Sequence, residues 1–239
     1  MSYQNPHQMQ CTWYDLTEKY GAPNIKWCEQ TLCQFISEPA NTWSNLGFLM
    51  VGILIYVYAT KNKHPWSLKQ FGPIVFIMGS LSFIYHFSNF YLTQILDFVG
   101  MFFFVGWALG RNLIRIGKLK PQQLIPFNLI YSAVLTVIMH LMYINEIKFQ
   151  VLIIISGLLI IATEFAARKV NKVDYKWFFI TLGLLIVAFS FSLSDIEHFW
   201  CNPENHGWFE QGHAIWHWTC STAMFALYLF QSQEKLRNI

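Results

Sequence analysis

Seven stretches of the chain stay apolar for long enough to matter: 41–60, 71–90, 91–110, 124–143, 149–167, 176–194 and 213–231. About 20 mostly apolar residues let a helix cross the hydrocarbon core of a bilayer, so the pattern predicts seven transmembrane helices. The second and third stretches nearly touch and are expected to form a tight hairpin around "NFYLTQ". No internal repeat, low-complexity tract or Gly/Ser linker divides the chain, and one domain over residues 1–239 is expected. The expected fold is all-α, an integral membrane bundle of seven helices preceded by the polar N-terminal segment 1–40.

Lys and Arg in short loops stay on the cytoplasmic side and so orient such a bundle. Lys61, Lys63 and Lys69 follow the first stretch, and Arg111, Arg115, Lys118 and Lys120 follow the third. Arg168, Lys169 and Lys172 follow the fifth, with Lys176 at the edge of the sixth, and Lys235 and Arg237 follow the seventh. The intervening connections hold almost none: only Lys148 lies between the fourth and fifth, and 195–212 has no Lys or Arg. This alternation predicts an N-terminus outside and a C-terminus in the cytoplasm. The opening "MSYQNPHQMQCTWYDLTEKYG" is not a basic, hydrophobic, cleavable signal, so the first span is expected to translocate the N-terminal segment itself.

Composition agrees with a membrane location, since 54% of residues are hydrophobic and only 12% charged, about half the charged share of a soluble domain. Membrane orientation accounts for the net charge of +3, and a nucleic-acid partner gains no support from it. Ionisable groups inside the predicted spans carry the information instead, because each is costly in hydrocarbon and needs a partner, a cavity or a task. The second span holds "GSLSFIYHFSNF", with Ser82 and His86 four apart; Asp97 stands near the start of the third; "EQGHAIWHWTC" opens the seventh with His213 and His217. Given the orientation, His86, Asp97, His213 and His217 all lie at one depth, toward the outer face.

Residues four apart share a helical face, so His213 and His217 can address one ion, and His86 from a neighbouring helix supplies a third nitrogen. Three imidazoles and a water form the layout of a catalytic zinc site, whereas structural sites fill all four positions with protein ligands. Haem is the rival reading. Two histidines one turn apart cannot take opposite faces of one porphyrin, however, so haem would need His86 or His140 from across the bundle.

"WCEQTLCQFISEPANTWSN" at 27–45, S-x3-H at 82–86, Asp97 and H-x3-H at 213–217 together resemble the motifs of the alkaline ceramidases. The wider superfamily includes adiponectin receptors and Per1-like lipid-remodelling proteins. The resemblance implies a zinc-dependent lipid amidase that cleaves ceramide or a related N-acyl sphingoid lipid. It implies zinc on His86, His213 and His217, with Ser82 and Asp97 as catalytic residues beside it. In that reading Asp97 moves the proton from water to the departing amine, and Ser82 steadies the developing oxyanion. A lipid ester hydrolase or remodeller using the same site, and a seven-helix receptor with a structural zinc, are the alternatives.

The resemblance also implies a calcium-like site at Trp27 (through its carbonyl), Glu29 and Glu38. This chain departs from the pattern, with Lys26 in place of an acid and Thr31 in place of Asn. Calcium wants six to eight oxygens and negative charge, so these departures argue against the ion, and Lys26 is expected to pair with Glu29 or Glu38. Cys28 and Cys201 both fall on the expected outer side, where oxidation is possible. The resemblance points to a disulfide between them, two free thiols being the alternative. Cys11 and Cys33 stay unassigned. Glu164 is expected to pair with Arg168 one turn on, and the Asn and Ser residues of "NTWSN" are expected to cap and hydrogen-bond helices.

Overall fold

The computed structural model describes residues 11–169 and 173–233. Lys172, Lys235 and Arg237 of the charge pattern, and residues 1–10 of the N-terminal segment, lie outside them. A short helix, α1 (Tyr14–Tyr20), leads into an irregular stretch and then α2 (Pro39–Ser44), which opens on proline, the residue pre-set for a first helical turn. The backbone stays helical through Asn45 into α3 (Leu46–Lys61). After α4 (Trp66–Lys69) come α5 (Phe71–Ser88), α6 (Tyr91–Arg115), α7 (Leu124–Ile144), α8 (Val151–Ala167), α9 (Lys176–Ile196) and α10 (Gly212–Ser232).

A long helix therefore stands at each of the seven expected stretches. Five helical segments are long and apolar enough to cross a membrane: Pro39–Lys61, Trp66–Ser88, Tyr91–Arg115, Pro121–Ile144 and Lys176–Ile196. The 17 residues of α8 are apolar but shorter. Helix α10 carries histidines, hydroxyls and a glutamine, and these are largely buried in the bundle, so protein rather than lipid surrounds them. The expected hairpin is tighter than "NFYLTQ". Asn89 adopts a left-handed conformation (φ 51°) that ends α5, and α6 begins at Tyr91; asparagine tolerates that region better than most residues.

Helix α10 packs along α9 and against α3, while α6 packs against α5, α7 and α8. Helices α3 and α5 approach so closely that a Cβ on Gly72 would stand 2.7 Å from the Gly52 carbonyl oxygen and the Tyr56 nitrogen. Small residues at helix contacts let backbones meet in this way. At the end of the bundle away from the histidines, Arg111 donates to the Ser67 hydroxyl at 2.9 Å. Glu164 pairs there with Arg115 and accepts from Tyr175 at 2.8 Å, a correction to the expected Arg168 pair. A charge buried at a helix junction needs a partner it can reach inside the bundle, and the exposed Arg168 instead lies over the Tyr175 ring, 5.2 Å from its centroid.

Gly72→Leu is expected to push α3 from α5 and to destabilise the purified protein by about 1–3 kcal/mol, read as a lowered thermal midpoint. An unchanged midpoint would show that the two backbones are not in contact.

Candidate metal centre and cavity

Helix α10 places His213 and His217 on one face, and the last turn of α5 brings His86 against them. All three rings are buried, and each offers a nitrogen within 4.8 Å of the others'. Nε2 of His86 and Nε2 of His213 stand 3.2 Å apart. Two nitrogens bound at about 2.0–2.1 Å to one tetrahedral ion are separated by about 3.3 Å.

The remaining ring nitrogens decide which ones face inward. Nδ1 of His217 lies 2.7 Å from the Ser44 hydroxyl, which itself donates to the Asn41 carbonyl at 3.0 Å. With its one proton spent on Asn41, that hydroxyl accepts from Nδ1–H of His217 and leaves Nε2 with its lone pair. Nδ1 of His86 lies 2.6 Å from Glu38 Oε2, which fixes the same tautomer when Glu38 is ionised. Partners of this kind orient imidazoles that bind metals. His213 differs: its Nδ1 is buried with no hydrogen-bond partner among the described residues, and Trp27 stacks on its ring with centroids 3.4 Å apart.

Trp27 comes from the N-terminal segment, which is tied down on both sides. Cys28 is disulfide-bonded to Cys201, and its backbone N–H donates to Asp195 Oδ1 at 2.8 Å. Asp195 Oδ2 accepts the backbone N–H of His213 at 2.9 Å, so one fully buried carboxylate joins the segment to the start of α10. Glu29 and Glu38 are buried too, and burial pushes the Glu38 carboxyl up to about 8 and raises that of Glu29. A second disulfide joins Cys11 to Cys33, the pair left unassigned from sequence. Lys26 is exposed and, among the described residues, makes no ion pair; the expected Lys26 pairing does not occur, and His206 meets Glu29 at 2.9 Å instead.

Beneath the histidines lies an apolar cavity of about 320 Å³, lined by Ser82, Asp97, Trp27, His213 and His217 at its head. Ser82 on α5 and Asp97 on α6 both line the cavity there. Along α10 the lining extends from His213 to Leu227, about 20 Å at the helical rise. Helix α8 packs on α6 and α9 packs on α10, with little contact between α8 and α9 themselves, and both line this cavity. His140 is remote from the cluster and meets the Tyr91 hydroxyl at 3.0 Å, which removes it from the candidate site.

Sequence reasoning found the three imidazoles, Ser82 and Asp97, and the structure brings all five together. It missed Ser44, Asp195, and the contact of Glu38 with His86. Each of these partners is 18 to 173 positions from the residue it meets. The available signal was chemical: a buried imidazole ligand needs a partner for its second nitrogen, and Glu38 and Ser44 were polar groups just before the first span.

The described residues thus form an all-helical bundle with a buried imidazole cluster beside an apolar cavity. The ceramidase family model matches residues 20–237, nearly the whole chain. The protein belongs to the ceramidase family, whose members are hydrolases of lipid amides. A search of curated proteins finds no match.

Ser44→Ala is expected to weaken the affinity of the purified protein for a divalent cation by about 10- to 100-fold, measured by competition with a chelating dye. Unchanged affinity would show that the hydroxyl does not orient His217.

Proposed function

We propose that the protein is a zinc-dependent intramembrane amidase that hydrolyses ceramide or a related N-acyl sphingoid lipid to a fatty acid and a long-chain base. In this reading the whole chain is one domain and the seven long helices all span the bilayer. The N-terminal segment and the site lie near the extracytoplasmic face, and the C-terminus lies in the cytoplasm. One observation carries the proposal: three buried imidazoles offer nitrogens within 4.8 Å of one another, and two of them, His213 and His217, line an apolar cavity together with Asp97 and Ser82.

The donor set fits zinc. Three imidazole nitrogens would leave room for a water on a bound ion, and the histidine group includes no thiol, the pattern of catalytic rather than structural sites. His86, His213 and His217 would hold the ion. When bound, zinc supplies Lewis acidity, polarising a carbonyl and acidifying a water at neutral pH. A cation on His86 also favours the ionised form of Glu38, opposing the effect of its burial.

The chain's own groups do the rest. The cavity receives an acyl chain and sets its amide carbonyl beside the imidazoles, with entry from the bilayer between α8 and α9. Asp97 takes a proton from the water whose oxygen adds to the carbonyl carbon, and delivers it to the nitrogen as the C–N bond breaks. The Ser82 hydroxyl donates to the carbonyl oxygen as it gains charge. Apolar walls exclude bulk water, which strengthens both interactions.

Purified protein is expected to contain zinc and to release fatty acid and base from ceramide, followed by mass spectrometry. His217→Ala should lose metal and turnover together, whereas Asp97→Asn should keep the metal and lose about 10²- to 10⁴-fold in rate. Fully active, zinc-free wild type would overturn the mechanism, and turnover of glycerolipid esters instead of ceramide would overturn the substrate.

Gly157 lies in the cavity wall on α8, and a Cβ there would meet nothing within 4 Å. Gly157→Leu should therefore narrow the cavity without disturbing its walls, lowering turnover of long-chain relative to short-chain ceramide by about 10-fold or more. Equal effects on both substrates would show that this stretch does not hold the acyl chain.

A further inference from the structure

The calcium-like residues of the N-terminal segment do not form a cation site suited to calcium. Both oxygens of Glu29 already accept from N–H donors: Oε1 from Ala40 at 2.7 Å and from His206 Nδ1 at 2.9 Å, Oε2 from Asn41 at 2.9 Å. Oε2 of Glu38 is taken by His86 at 2.6 Å. Oε1 of Glu38 and the Thr31 hydroxyl both accept from one atom, Nδ2 of Asn89, each at 2.8 Å. Two oxygens that a cation would draw together thus converge on an amide N–H2 group. Lys26, standing where the resemblance expects an acid, is exposed and contributes no oxygen. Calcium needs six to eight oxygens, and the carboxylates here have spent theirs on nitrogen.

We infer that this chain has replaced a bridging cation by two of its own side chains, His206 and Asn89, which clasp the N-terminal segment to the loop before α10 and to the end of α5 without calcium. The replacement makes mechanical sense. His206 lies in a loop already joined to the segment by the Cys28–Cys201 disulfide and by a backbone bond from Gln30 N–H to the Pro203 carbonyl at 3.0 Å. Asn89 is the residue whose left-handed conformation ends α5 three positions beyond His86, so its amide reaches Thr31 and Glu38 from a fixed point. Between them the two side chains hold Trp27 over His213 and Glu38 against His86, the positioning that a cation would otherwise supply. The inference concerns the segment's assembly and stands or falls separately from the ceramide reading.

The test uses the full chain in detergent, dialysed into zinc-containing, calcium-free buffer, with thermal midpoint and equilibrium calcium binding as readouts. Wild type is expected to bind no stoichiometric calcium and to show no change in midpoint on calcium titration. His206→Ala should lower the midpoint by about 3–12 °C, the scale of one charge-assisted hydrogen bond in a chain of this size. His206→Gln, which keeps a donor, should recover most of that loss. Stoichiometric calcium that raises the wild-type midpoint would overturn the inference, since it would place an ion where the two side chains are assigned. Equal midpoints for wild type and His206→Ala would also overturn it.

Discussion

The fold depends on a constraint of desolvation: three imidazoles must be gathered inside an apolar bundle, where a polar group without a partner is expensive. Each ring has two nitrogens to satisfy, and only one can face a shared point. The outward nitrogens of His86 and His217 are met by Glu38 and Ser44, while Trp27 covers the face of His213. Glu38 and Trp27 lie before the first long helix, and Ser44 lies in the short helix that leads into it. The N-terminal segment is thus part of the site's framework, although none of its side chains belongs to the histidine cluster. Two disulfides, the Asp195 bridge and the clasp to the loop before α10 hold it there.

The same logic orders the rest of the bundle. Polar side chains collect at two levels, one around the histidines and the other where Arg111, Arg115 and Glu164 meet hydroxyl, amide and phenol partners. The cavity between them is walled by apolar residues of α6, α8, α9 and α10. A lipid with a polar reacting group and a long apolar tail matches that distribution. In the proposed function the polar part would sit by the imidazoles and the tail along the helices.

Much of this was legible in the sequence because it depends on short-range periodicity. Spacing of four residues put His213 and His217 on one face, and the lengths of apolar stretches placed every long helix to within a few residues. Matching His86 and Asp97 to the depth of His213 and His217 required only the order and direction of the helices. What was not legible depends on contacts made across the chain. Ser44 was expected to cap or hydrogen-bond helices, but its particular partner, His217, is 173 positions away and was not legible. Glu164 was assigned the nearest cation in sequence, Arg168, whereas burial gave it Arg115. Lys26 was expected to pair inward, but its side chain is exposed, and His206 meets Glu29 instead from the loop that the Cys28–Cys201 disulfide ties to the segment. The Cys11–Cys33 link closes a loop within the irregular N-terminal segment, where no periodicity fixes distances.

The central claim is that the three imidazoles bind one divalent ion and leave a coordination position open. X-ray absorption at the zinc edge on the purified protein measures this directly. The account predicts three nitrogen scatterers at about 2.0–2.1 Å and one oxygen at similar distance. A shell containing sulfur, a fourth protein nitrogen in place of oxygen, or an absence of zinc from active protein would contradict it.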